Sequence, residues 1–139
     1  MKIAPNNATG EFSWPVRVYY EDTDAAGVVY YANYLNFYER ARTEWLRAQG
    51  YEQDQLRATH GIVFVVSALQ VEYRRPALFN DALQVRCRLQ KQSAAALHFD
   101  QSVVRTSGGA LLSEAKVQIV CVDAISFKPK PIPKGMVLL

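Results

Sequence analysis

Alternating hydrophobic and polar positions mark five separate stretches of this chain. Alternation over residues 16–21 predicts a half-buried first strand that leads to Asp22. Four further strand patterns follow, over residues 62–73, 82–89, 96–106 and 110–123. A tight hairpin is predicted at residues 107–109, where a serine precedes two glycines. Short connections of this kind indicate an antiparallel sheet of five strands.

Between the first two strands, apolar residues recur at helical spacing. They are Tyr34, Phe37, Tyr38, Ala41, Trp45 and Ala48. Asn33 or Asn36 can cap the start of this helix, and Gly50 supplies a left-handed stop. The helix should have about 16 residues and a length of roughly 24 Å. Since no second long amphipathic pattern is present, the sequence predicts an α+β fold in which one helix packs against the sheet.

The strand pattern over residues 62–66 is apolar in both phases. A strand of that kind is typically buried on both faces, whereas one helix covers only one. We therefore expect a second subunit to cover the other face. The alternative is an edge strand tucked under a loop formed by residues 51–60.

Composition limits the possible classes of protein. The 139 residues are half hydrophobic, which predicts one domain over residues 1–139 with a core at about 12–134. No apolar run is long enough for a membrane span, and we expect a cytoplasmic protein. A net charge of +3 without a basic stripe argues against nucleic-acid binding. Cys87 and Cys121 lie in strand patterns without metal-ligand spacing, so both are predicted to be reduced core residues, with no metal or redox cofactor.

The candidate chemistry lies in residues 21–47. Asp24 stands three residues before Gly27, whose missing side chain lets a ligand approach the backbone. Amides of residues 30–32 precede the helix and could polarise a carbonyl oxygen. A thioester suits such a pair, because sulfur donates poorly into the carbonyl and the thiolate leaves readily. The alternative from the residues alone is that the carboxylates of residues 22–24 only shape a turn.

Other catalytic devices are poorly supported by the sequence. It contains no serine nucleophile elbow, no glycine-rich phosphate loop and no zinc-binding HExxH motif. The two histidines, His60 and His98, are expected at a loop-to-strand junction and within a strand. Both are interpreted as surface or packing residues.

A resemblance to a known family is carried by the segments WPVRVYYEDTD, FYERARTEWLR, VEYRRPA, VCVD and KPKPIP. Across roughly residues 14–134 the chain resembles hotdog-fold acyl-CoA thioesterases of the 4-hydroxybenzoyl-CoA type. It is especially similar to their Tol-Pal-associated group. The resemblance implies a curved five-stranded antiparallel sheet wrapped around one long central helix. It also implies homodimers or homotetramers with active sites at subunit interfaces.

The resemblance assigns Asp24 as nucleophile or general base and the backbone N–H of Tyr31 as the group that polarises the thioester carbonyl. The Tol-Pal-associated group commonly has histidine where this chain has Tyr31, so an acid-base role for that side chain is not carried over. The 4-hydroxybenzoyl-CoA type has tyrosine there. The acyl-CoA substrate is expected to contact Tyr20, Gly27, Val28 and Tyr30.

Basic residues that could hold the phosphates of coenzyme A lie in two places. Lys128 and Lys130 belong to a proline-rich tail, which favours an extended course with its charges in water. Arg74 and Arg75 precede Pro76 and form the alternative pair.

Two other functions remain open on the sequence. One is non-hydrolytic binding of an acyl carrier protein or a lipid-synthesis enzyme. The other is a hotdog dehydratase, which would be expected to pair its aspartate with a nearby histidine.

Overall fold

Five antiparallel strands and two helices build the part of the chain that the computed structural model describes, residues 11–136 and 138. The elements are β1 (Phe12–Arg17), α1 (Asn33–Ala48), α2 (Gln53–His60), β2 (Ile62–Tyr73), β3 (Ala82–Gln92), β4 (Ala96–Arg105) and β5 (Leu111–Asp123). The strand order is β1-β3-β4-β5-β2, so β1 and β2 form the two edges of an open sheet. The predicted α+β hotdog architecture is confirmed.

Helix α1 buries the predicted apolar face against the inner side of the sheet. Phe37 and Ala41 are fully buried, and Trp45 packs edge-on against Phe99 of β4 with ring centroids 5.1 Å apart. A buried aromatic side chain of this size contributes about 1.5–3 kcal/mol through the apolar area removed from water. The helix therefore has a fixed position on the sheet, and its first turn lies at a fixed place in the fold.

One polar chain crosses this core. The buried Tyr38 hydroxyl donates to Ser113 Oγ on β5 at 2.7 Å, and Ser113 donates to the Glu72 carbonyl of β2 at 2.9 Å. Since both buried hydroxyls are paired, this series of hydrogen bonds links α1 to two strands and leaves neither hydroxyl unsatisfied. Cys87 and Cys121 are both buried and free, as predicted.

The chain around the first strand differs from the prediction. β1 ends at Arg17, and Tyr20–Asp22 form a short 3-10 turn instead of continuing the strand. The reason is that the Asp22 carboxylate accepts the backbone N–H of Tyr19, which curls the chain before it can pair further. The alternating pattern continues through a segment in which this local hydrogen bond favours a turn over a strand.

The helix start also differs from the prediction. Ala32 occupies the N-cap position, and neither Asn33 nor Asn36 caps the backbone. The Asn33 side-chain amide donates to Asp22 Oδ1 at 2.7 Å, and Asn36 donates to Asn33 Oδ1 at 2.9 Å. The end of α1 is as predicted, because Gly50 adopts a left-handed φ of +96°.

Strand β2 is not buried on both faces within the chain. It forms a sheet edge, and Val66 is 49% exposed, with Val65 and Leu69 also exposed. Its first residues lie next to α2, which the sequence had assigned to a loop. Leu56 is the one buried residue of α2, so the amphipathic pattern there is too weak to recognise. Neither described helix is long and apolar enough to cross a bilayer.

The C-terminal tail packs on the sheet rather than extending into solvent. Pro129 pairs with Val122, and the N–H of Lys130 donates to the Cys121 carbonyl at 3.0 Å. Beyond them, Ile132 and Met136 are buried. The apolar residues between the prolines therefore decide the path of the tail, while Lys128 remains exposed.

Candidate active site

Asp24 lies in a narrow turn between the 3-10 turn and α1. Its N–H donates to the Val28 carbonyl at 2.9 Å, and Gly27 closes the turn with a φ of +81° that favours glycine. The Asp24 side chain is exposed, and its Oδ1 accepts the Ala26 N–H at 2.9 Å. Within residues 11–136 and 138, Oδ2 has no hydrogen-bond partner, so one carboxylate oxygen is available to a ligand.

Asp22 has a different role although it is only two residues away. It is 7% exposed, and its carboxylate accepts the Tyr19 N–H at 2.8 Å and the Asn33 side-chain amide at 2.7 Å. Its carbonyl accepts the Tyr30 N–H at 2.9 Å. The turn-forming interpretation is therefore right for Asp22, which fixes the loop to the start of α1.

Backbone N–H groups before α1 supply the second half of the site. The Tyr30 N–H donates to the Asp22 carbonyl. It is therefore not available to polarise a substrate carbonyl, although the sequence had left it as a candidate for that role. The N–H groups of Tyr31 and Ala32 donate to no atom of the described chain. They stand at the positive end of the helix dipole, where unpaired donors favour a developing negative charge.

Three tyrosine rings contact one another in the same part of the site. The rings of Tyr30 and Tyr31 lie 4.9 Å apart, and Tyr31 meets Tyr73 edge-on at 6.2 Å. The Tyr73 hydroxyl donates to the Tyr31 carbonyl at 2.8 Å, which holds the peptide before α1 in place. The neighbouring Tyr31 phenol raises the pKa of Tyr30, and the Asp24 carboxylate adds to this increase. Asp24 therefore acts electrostatically on the same ring cluster.

The rim of the site combines predicted residues with two that the sequence did not single out. Tyr20 is 82% exposed and lies against Phe79 with ring centroids 5.4 Å apart. Val28 pairs with Leu78 through an isolated bridge. The connection between β2 and β3 thus contributes Leu78 and Phe79. The structure exposes both, and the sequence signal that could have found them is a pair of apolar residues between two strand patterns.

Lys128 and Lys130 lie far from Asp24 within one chain. Lys130 Nζ donates to the His60 carbonyl at 3.1 Å and lies 3.8 Å from Asp123. This is the start of β2, because Asp123 pairs with Ile62. The Asp24 turn lies near the other end of β2, at Tyr73, and a strand of this length spans roughly 36 Å. One chain alone does not bring these lysines to the carboxylate.

The alternative arginine pair lies at the same end of the sheet as Asp24. Arg74 forms ion pairs with Glu114 and Glu72 on the outer face of the sheet. Arg75 is exposed, and no ion pair to it is found among the residues described. Of the two arginines, Arg75 therefore has the guanidinium that is available to a phosphate.

Known proteins resemble this chain in sequence. The sequence pattern of the thioesterase-like superfamily matches residues 18–137. The chain belongs to this superfamily. It is 48% identical over 126 residues to "Acyl-CoA thioester hydrolase YbgC" of Escherichia coli, covering 91% of this chain and 92% of that protein. "Acyl-CoA thioesterase YbgC" of Haemophilus influenzae is 45% identical over 88% of this chain and 89% of its own length.

Solved structures of the superfamily share the fold of this thioesterase-like chain. A probable thioesterase from Bartonella henselae matches with a TM-score of 0.83 and 32% identity, covering 88% of this chain and 99% of that one. A 4-hydroxybenzoyl-CoA thioesterase complexed with 4-hydroxybenzoyl-CoA has a TM-score of 0.83 at 21% identity, covering 90% and 94%. The second likeness is one of fold alone.

The site of this thioesterase-like protein can therefore combine two chemical functions. A carboxylate oxygen without a partner can attack a carbonyl carbon or take a proton from water. Unpaired N–H groups at the start of α1 can stabilise the oxyanion that forms at the same time. Within one chain, neither of the two histidines lies beside these groups. His60 lies at the distant end of β2, and His98 pairs with Lys91 and Gln118 in the middle of the sheet.

Proposed function

We propose that this protein hydrolyses acyl-CoA thioesters to a free carboxylic acid and coenzyme A, with Asp24 and the Tyr31 N–H as its reacting groups. The proposal is carried by the Asp24 Oδ2 and, after it in the chain, the Tyr31 and Ala32 N–H groups, none of which has a hydrogen-bond partner among the described residues. The acyl-CoA thioesterase relatives at 48% and 45% identity support the same substrate class. A panel of acyl-CoA substrates with detection of the free thiol tests it directly.

Two routes lead from these groups to the products. In the first, an Asp24 oxygen attacks the thioester carbon, the thiolate of coenzyme A leaves, and water then hydrolyses the resulting mixed anhydride. In the second, Asp24 takes a proton from a water molecule, whose oxygen attacks the carbonyl carbon and expels the thiolate. Both routes place negative charge on the carbonyl oxygen, where the Tyr31 N–H and the α1 dipole stabilise it.

The working form that we propose is a homodimer that pairs through β2. Residues 62–71 of this edge carry no charged side chain, whereas the opposite edge, β1, is short and contains Pro15. Long uncharged edges are templates for strand pairing, and proline blocks it. A second copy would cover the exposed Val65 and Val66. Sedimentation measurements distinguish this dimer from a monomer and from the homotetramer that the resemblance also allows.

Replacing Tyr31 by phenylalanine is expected to lower kcat by less than about threefold, because the proposed contribution of Tyr31 is its backbone N–H. The side-chain hydroxyl is lost, but the N–H and the carbonyl bonded to Tyr73 remain. Steady-state kinetics with an acyl-CoA checks this. A loss as large as that caused by removing the Asp24 carboxylate would show that the phenol takes part in the reaction.

In the proposed dimer, antiparallel pairing brings the Ile62 end of one β2, beside the tail, to the Tyr73 end of the other. Replacing Lys128 by alanine is therefore expected to raise KM for acyl-CoA about tenfold, equivalent to the loss of one charge-assisted phosphate contact. KM for the same acyl group on pantetheine, which lacks the nucleotide phosphates, should not change. Arg75→Ala is the matched variant at the other candidate position. An unchanged ratio of the two KM values for Lys128→Ala, together with an increase for Arg75→Ala, would assign the phosphates to Arg75 instead.

The finer assignments stay predictions. They are membership of the Tol-Pal-associated group, a cytoplasmic location, and an acyl carrier protein as a further partner. Purified protein that binds an acyl group but releases no thiol from any acyl-CoA would favour the non-hydrolytic alternative. The dehydratase alternative finds no histidine beside Asp24 within one chain, because His60 lies at the far end of β2, and it would therefore need His60 of a second copy.

A further inference from the structure

A cavity separate from the Asp24 turn lies between α1 and the inner face of the sheet. Its volume is about 410 Å³. Its walls are largely apolar, with Trp45 on α1, Phe64 on β2, Phe99 on β4 and Ile119 on β5. Cavities of this size with mostly apolar walls typically bind small organic molecules, which a few polar groups hold in one orientation.

One positive charge lines this apolar cavity. Arg42 of α1 is partly buried, and its Nη1 donates to Gln101 Oε1 at 2.9 Å. Gln101 is 4% exposed, and its side-chain amide donates to the Tyr38 carbonyl at 3.1 Å. Because an amide carries no charge, Gln101 fixes the position of the guanidinium without neutralising it. Among the residues described, no carboxylate lies within ion-pair distance of Arg42.

The other nitrogen atoms of the Arg42 guanidinium are open to a ligand. Nε and Nη2 donate to no atom of residues 11–136 and 138. No side-chain nitrogen in this part of the chain is both fully buried and unpaired, so these two atoms reach open space. A guanidinium presents its N–H groups as a planar fork that matches the two oxygen atoms of a carboxylate.

The surroundings of Arg42 do not balance its charge. Burial lowers the pKa of the guanidinium, and Cys87 and Glu39 offset only part of this effect. Glu39 lies three residues earlier on α1 and is exposed, so water weakens its interaction with Arg42. A partly buried cation in apolar surroundings is unfavourable unless an anion pairs with it. An anionic ligand in the cavity would therefore stabilise this residue.

The cavity does not coincide with the Asp24 site of the same chain. Asp24 precedes α1, whereas Arg42 lies nine residues after Asn33, the first residue of the helix. That separation is about 14 Å along the helix axis. A carboxylate bound to Arg42 is therefore a different group from the thioester carbonyl that reacts beside Asp24.

We infer that this cavity binds a free medium-chain carboxylic acid, with the carboxylate on Arg42 and the alkyl chain against Trp45, Phe64 and Ile119. The ligand belongs to the chemical class that hydrolysis of a thioester releases, but its binding does not depend on the proposed function. Arg42 selects the ionised acid. An alcohol of the same chain length fills the apolar part of the cavity and leaves the guanidinium without an anion, so it should bind more weakly.

Tryptophan fluorescence tests the inference without relying on activity. The chain has two tryptophans, and Trp14 lies on β1 at the opposite edge of the sheet from β2. A Trp14→Phe protein leaves Trp45, in the cavity wall, as the only emitting indole. Titration of this parent protein with octanoate and with octanol should give a Kd for octanoate at least about tenfold lower, equivalent to one charge-assisted hydrogen-bonded contact.

Variants of Arg42 in the same background separate its charge from its bulk. Arg42→Met keeps an unbranched apolar stem and should raise the Kd for octanoate about tenfold, while the Kd for octanol changes by less than about twofold. Arg42→Lys keeps the charge without the planar fork and should lose a smaller part of the preference. This variant keeps the test informative if Arg42→Met does not fold.

Glu39→Gln is the matched control. It removes a charged group from the same cavity wall and should leave octanoate binding unchanged or tighter, because a like charge is lost. Thermal unfolding gives a second measurement, since a ligand that binds only the folded protein raises Tm. Octanoate should raise Tm of the parent protein and of Glu39→Gln more than that of Arg42→Met.

The outcomes separate the inference from the proposed function. Equal affinities of the parent protein for octanoate and octanol, or an unchanged preference in Arg42→Met, would overturn the inference. A kcat/KM for octanoyl-CoA that falls in Arg42→Met as much as the octanoate affinity would place Arg42 in the reaction site, and the separate cavity site would be wrong. If the wild type binds octanoate through Arg42 but releases no thiol from any acyl-CoA, the proposed function is wrong and the cavity assignment stands.

Discussion

Replacing Asp24 by asparagine is expected to lower kcat for acyl-CoA hydrolysis by about 10³-fold or more, because an amide neither attacks a thioester nor takes a proton from water. The turn should be preserved, since the asparagine Oδ1 can still accept the Ala26 N–H that Asp24 accepts. The side chain is exposed and contributes no buried charge. Free-thiol release from an acyl-CoA panel measures the loss.

The matched control is Glu21→Gln, which removes a carboxylate three residues away without changing the turn. Glu21 is exposed, and the Glu21→Gln variant should retain nearly full activity. Thermal unfolding of both variants should match the wild type. An Asp24→Asn protein that is folded and still releases thiol at a rate within tenfold of the wild type would contradict the assigned role.

Replacing Asp22 by alanine is expected to lower the free energy of unfolding by about 2–4 kcal/mol, because the Tyr19 N–H and the Asn33 side chain would lose their acceptor in a buried place. For a chain of this length, that corresponds to a decrease in Tm of roughly 10 °C. Urea denaturation followed by circular dichroism measures the change.

Asp22→Asn separates the two hydrogen bonds. An asparagine keeps one acceptor oxygen, so it can satisfy one of the two donors and should cost about half as much as alanine. An Asp22→Ala protein as stable as the wild type would show that the loop is held to α1 by other contacts.

The two aspartates thus have opposite expected signatures. Asp24→Asn should abolish most activity with little change in the free energy of unfolding. Asp22→Ala should lower the free energy of unfolding as its main effect. The sequence presents both as EDTD, and composition cannot distinguish them. Burial distinguishes them, because Asp22 is enclosed by its donors, while one oxygen of the exposed Asp24 has no partner in the part of the chain that the structure describes.

Local patterns in the sequence were sufficient for most of the fold. The alternation of residues 82–89 and the helical spacing of residues 34–48 reflect which side of each element faces the core. Apolar residues are needed on that side at every helical turn and at every second strand residue, so the pattern is visible in the local sequence. The length and the end of α1, with the left-handed residue at Gly50, followed from the same signals, whereas its start did not. The catalytic candidate Asp24 was also visible in the sequence, because the glycine turn and the start of the helix are its neighbours in the chain.

What the tertiary structure decided involves partners that are distant in sequence. The Asp22 carboxylate accepts the side-chain amide of Asn33, 11 residues later, which therefore does not cap α1, and Tyr73, 42 residues beyond Tyr31, holds the peptide before α1. The lysines of the tail lie at the far end of β2 because β5 and β2 pair antiparallel, a register that no local pattern encodes. The sequence by itself therefore determined α1, strands β2 to β5 and the candidate carboxylate. Long-range hydrogen bonds and strand pairing decided which of its charged groups can share one site.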